Sequence, residues 1–91
     1  MQKFIIKNPN SNKYFVSIEG NDYVSDVITT DQKYEAKIFD SGIEAKDWLK
    51  MIWKKTVVKD FNIIWEVILV TMKNGINDFE EIMTWYSSTE N

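Results

Sequence analysis

The chain has no Cys, no His and no Arg among its 91 residues, and a single Pro. Without Cys there is no disulfide, no thiolate metal site and no Cys nucleophile. Without His, the side chain best suited to proton transfer near neutral pH is missing. Without Arg, no planar fork can grip phosphate, carboxylate or guanine at two points. All 11 basic residues are Lys; against 14 acidic residues they leave a net charge of −3. Only two Ala occur, and Ile, Asn and Lys are abundant. Coding from an AT-rich genome accounts for that bias, Lys in place of Arg included. No apolar stretch approaches the ~20 residues of a membrane span. The longest, Ile63–Val70, is broken by Glu66, and no signal-peptide pattern opens the chain. The expectation is a protein of the cytosol, with no membrane partner.

What is present is aromatic: four Trp, five Phe and four Tyr. Burying one large apolar side chain is worth about 1.5–3 kcal/mol, so a few of these can hold one small domain, residues 1–91, without a staple. Lys3–Lys7 reads as a first strand. Asn8–Asn12 is a turn, and Lys13–Glu19 alternates as a second strand, closing a hairpin. Tyr23–Thr29 reads as a third strand and Asp31–Ala36 as a short helical turn. Ser41-Gly42-Ile43-Glu44 matches a capping box. The residues after it place Ala45, Trp48, Leu49, Ile52 and Trp53 on one face, predicting a helix over Ile43–Lys55.

Phe61–Val70 reads as an internal strand, with Phe61, Ile63, Trp65, Val67 and Leu69 on a wholly apolar face. Trp48, Leu49 and Ile52 are expected to cover Phe61, Ile63, Trp65 and Leu69. Asn77 to Glu80 resembles a second capping box, and Phe79, Ile82, Met83 and Tyr86 have the spacing of a helical stripe. The predicted fold is α+β: a small antiparallel sheet with two helices on one face, in the order β-β-β-α-β-α.

Chemistry is sparse. There is no Gly-rich phosphate loop, and the three Gly sit at predicted turns or caps. Asp78, Glu80 and Glu81 cluster, but at a predicted helix start the dipole alone favours acids. No catalytic residue, cofactor or metal is expected. Residues 44–59 carry Lys46, Lys50, Lys54, Lys55 and Lys59 against Glu44 and Asp47, a basic face able to contact phosphates. A solvated helix face is the favoured explanation, because the net charge argues against tight binding to bare duplex DNA. From residue 60 onward the sign reverses: six acids face one Lys.

The segments KFIIKNPNSNKYFVSIEG and EAKIFDSGIEAKDWL, spanning Lys3–Leu49, resemble small accessory proteins of phages and prophages from AT-rich Gram-positive hosts. The resemblance implies a class that acts by binding host proteins, anti-CRISPR inhibitors among them. It carries over no functional residue.

The expected function is therefore that of a non-enzymatic interaction protein. It would inhibit a host defence or nucleic-acid-processing complex by occupying its surface. Asp78, Glu80, Glu81 and Trp85 are the candidate contacts, with Trp85 a partly exposed anchor beside the acids. The alternative is a small nucleic-acid-binding regulator that uses the Lys face.

Overall fold

The computed structural model describes residues 1–20, 25–74 and 78–90. Among these residues are five strands: β1 (Gln2–Asn8), β2 (Lys13–Gly20), β3 (Ser25–Thr30), β4 (Glu66–Met72) and β5 (Phe79–Ser87). They form one sheet in the order β3-β2-β1-β4-β5, with every neighbouring pair antiparallel. One α-helix, α1 (Gly42–Val57), crosses one face, and short 3-10 turns occupy Lys33–Glu35 and Ser88–Glu90.

This corrects the predicted architecture. The closing segment is a fifth strand and not a second helix, so the order is β-β-β-α-β-β. The register of β5 on β4 gives the physical reason. Val67 faces Tyr86 while Ile68 faces Thr84, and Leu69 faces Met83 while Val70 faces Glu81. Trp85 and Ile82 are therefore extra residues in two bulges. Each bulge turns the two-residue repeat of a strand into a three-residue step. Glu80, Met83 and Tyr86 consequently share one face, and the segment acquires spacings that imitate a helix. Gly75, Ile76 and Asn77, including the predicted cap, lie outside the described residues, as do Tyr23 and Val24 of the expected third strand.

The sheet is buried on both sides, which the adjacent Ile5 and Ile6 of central β1 illustrate: both are fully buried and point to opposite faces. On the α1 side Ile6, Phe15, Phe39, Trp65 and Val67 meet Ala45, Leu49 and Ile52 of the helix. On the other side Ile5, Tyr14, Ile68, Val70 and Phe79 pack with Ala36, which precedes a short bridging segment. That segment fills a split in the sheet. β1 and β2 pair only through Lys7–Tyr14 and Asn8–Lys13. Beyond that point they separate, and Phe39 exchanges two backbone hydrogen bonds with Phe4, at 2.9 and 2.8 Å, while the Lys37 amide donates to the Phe15 carbonyl.

The expected helix-to-strand core forms only in part. Trp65 is 2% exposed, but Phe61 is 80% exposed, because β4 begins at Glu66 and not at residue 61. Phe61 lies in the turn that joins α1 to β4. The predicted helix start is in place: the Ser41 hydroxyl accepts hydrogen bonds from the Ile43 and Glu44 amides at 3.1 and 3.3 Å. Replacing Ser41 with Ala leaves those amides without this acceptor and should cost about 1 kcal/mol. The check is a thermal melt lowered by about 4–8 °C, the shift expected for a domain of this size.

Candidate functional site

Among the described residues β5 lies at the sheet edge and pairs with β4 alone. Its chemistry follows from the bulges. Ile82, Met83 and Trp85 are 51%, 54% and 42% exposed, although a strand over a two-sided core should spend such side chains inside. The Trp85 ring leans over the start of α1, meeting Phe4 edge-on at a centroid distance of 5.4 Å. A Cβ built on Gly42 would come within 2.8 Å of that ring, so the missing side chain lets Trp85 lie down against the helix. Ile43, the next residue, is exposed beside this contact.

The four predicted acidic and aromatic contacts separate into two groups. Asp78 is exposed, and its carbonyl accepts from the Lys73 amide at 2.8 Å. Glu80 is exposed and pairs loosely with Lys73 at 3.3 Å. Asp78, Glu80 and Trp85 thus belong to the outer surface around β5. Glu81 does not. It accepts from the Lys7 ammonium at 2.9 Å and from the Tyr14 hydroxyl at 3.2 Å, forming a clasp that joins β5 to β1 and β2 on the face opposite α1. The helix-start reading of Glu80 and Glu81 is overturned, since both lie in a strand.

The clasp has a consequence for alkaline stability. The Tyr14 phenol is pushed up to about 12, first by burial and then by the Glu81 carboxylate, which repels a phenolate and accepts a hydrogen bond from the neutral phenol. A raised value means that the native state holds its proton more tightly than the unfolded chain. The contribution is whole below pH 10 and is lost between pH 10 and 12. Two units correspond to about 2–3 kcal/mol. Denaturant melts across that window should show a shallower alkaline decline for Tyr14→Phe than for the parent.

The predicted basic face is distributed around α1 and beyond it. Lys46 lies 4.4 Å over the Tyr86 ring, which ties it to β5. Lys50 and Lys54 are exposed, Lys55 is half-buried, and Lys59 pairs with Asp26 at 3.4 Å. No single face gathers all five. A shallow groove of about 200 Å³ lies between Trp53, Phe61, Ile63 and Ser88, and another of about 150 Å³ lies beside Glu81, Ile82 and Met83. Among the described residues no three acidic side chains converge to hold a metal ion. None of the described helices is long and apolar enough to cross a membrane.

Ile82 and Met83 are the surface residues that the sequence reading placed inside, on a helical stripe. Their neighbours offered a contrary signal. Ile82, Thr84, Trp85 and Tyr86 are β-branched or aromatic, types that favour strands. No protein-family model, curated protein or solved structure matches the chain.

Proposed function

We propose that the protein is a non-enzymatic interaction protein that inhibits a host complex by occupying its surface, and that the β5 edge makes the contact. The observation that carries this reading is the exposure of Ile82, Met83 and Trp85 together on one edge strand. Interface cores favour aromatic residues and Met, and an open strand edge adds backbone hydrogen bonds to a partner. Asp78 and Glu80 give the edge an acidic flank suited to a basic partner surface. The grooves are too shallow to enclose a small substrate, which ordinarily needs about 300 Å³ or more. The resemblance to phage accessory proteins supplies the class of target: a host defence or nucleic-acid-processing complex, in the manner of an anti-CRISPR, met in the host cytosol.

The test is affinity capture from the lysate of an AT-rich Gram-positive host, with three versions of the chain as bait. Parent and Lys50→Glu/Lys54→Glu should retain the same stoichiometric protein, and Met83→Lys should lose it. Loss only in the lysine variant would move the contact to α1. Random duplex DNA should bind the parent more weakly than about 1 μM at physiological salt, because few phosphates can be neutralised.

A further inference from the structure

We propose that the β5 edge is self-complementary: a second copy of this chain pairs with it, β5 antiparallel to β5, about a two-fold axis through Met83. Proteins usually blunt a free edge with charged side chains, Lys above all, with Pro or with short length. β5 runs nine residues and contains neither Lys nor Pro. Bulges are another such device, yet here the extra residues are apolar Ile82 and Trp85, which remain exposed with Met83.

Charge selects the occupant. Glu80, Met83 and Tyr86 oppose Thr71, Leu69 and Val67, alternate residues of β4, so all three project from the α1 face. Glu80 and Tyr86 each lie three residues from Met83. An antiparallel pair centred on Met83 therefore sets Glu80 opposite the second copy's Tyr86. The ammonium of Lys46 rests 4.4 Å over that ring. Each Glu80 carboxylate thus meets the other copy's Lys46, twice by symmetry, which is the pattern of an isologous interface. Within one copy, among the described residues, Glu80 pairs with exposed Lys73 at 3.3 Å, a contact that solvent screens. The two-fold axis stands perpendicular to the sheet, so the five strands continue into the second copy and both α1 helices share one side. The pairing closes the edge that the proposed target uses, and the dissociated chain is then the binding form.

Sedimentation equilibrium of the purified protein at low salt, up to about 1 mM, tests the pairing. The parent should show a reversible monomer–dimer equilibrium. Met83→Lys should be monomeric, and Ile82→Lys serves as a second disruptor at an equally exposed site. Glu80→Lys and Lys46→Glu should each weaken the dimer about tenfold, and the double variant should restore it, since a charge pair is regained. Circular dichroism checks that each variant folds. A parent that stays monomeric throughout overturns the proposal. So does a dimer that survives both apolar-to-Lys changes, or a double variant no tighter than either single. Such a failure leaves the functional reading standing, because that reading is measured by capture of a host protein.

Discussion

Trp65→Ala should lower stability by about 3–5 kcal/mol, the range for deleting a large buried aromatic. The indole is 2% exposed in the core beneath α1. Its Nε1–H donates to the Thr56 hydroxyl at 3.0 Å, and that hydroxyl donates in turn to the Ile52 carbonyl at 2.8 Å. The backbone around it is bonded as well: the Trp65 amide donates to Ser88 Oγ, and the Ser88 amide donates to the Trp65 carbonyl, both at 2.9 Å. One residue therefore ties the last turns of α1, through its side chain, to the chain that follows β5, through its backbone. For a small domain the loss is a large share of the total. Trp65→Phe keeps most of the volume but gives up the indole donor, and should cost about 1–2 kcal/mol. Urea titration separates the two variants. A Trp65→Ala cost below 1 kcal/mol would mean that the contact between α1 and the sheet is not the main core.

Phe79→Ala should cost nearly as much, again about 3–5 kcal/mol, although among the described residues no α-helix covers this side of the sheet. Phe79 is fully buried. It meets Tyr14 edge-on at 5.7 Å, and the Lys33 ammonium lies 5.5 Å over its ring and donates to its carbonyl at 3.2 Å. Aromatic pairs of this geometry carry about 0.5–1.5 kcal/mol beyond their buried area. A double-mutant cycle between Phe79→Leu and Tyr14→Leu should show coupling of that size. A cycle between Phe79→Leu and Leu49→Ala should show none, because the sheet separates them. Coupling to Leu49 would support the helical reading of this segment and contradict the strand.

The first half of the chain was legible because its signals are local. The Asn8–Asn12 turn is built from its own side chain: Asn8 Oδ1 accepts from the Asn10 and Ser11 amides, and Asn12 takes the left-handed conformation at φ 57°. Ser41 caps its own helix. The second half misleads for two reasons. At Phe61–Trp65 the apolar alternation runs ahead of the strand, so Phe61 joins the turn while Trp65 enters the core. In β5 the two bulges shift the alternation into helical spacing, and a bulge is a property of pairing that one strand does not reveal alone. The same shift hid the candidate site, since Ile82 and Met83 counted as core. A helix would leave Trp85 off its apolar stripe; in the strand Trp85 is partly exposed for a different reason: it is itself a bulge residue. The Glu81 clasp spans 74 residues to Lys7 and 67 to Tyr14, separations that no local pattern reports.

The central proposal is that β5 is the surface that meets a partner. Amide hydrogen exchange of the chain addresses it directly, measured first at a dilution where copies are apart and then with the captured host protein bound. New protection is expected along Phe79–Ser87, with the Lys50–Lys54 turn of α1 unchanged. Protection confined to that turn of α1, with β5 exchanging as before, would contradict it.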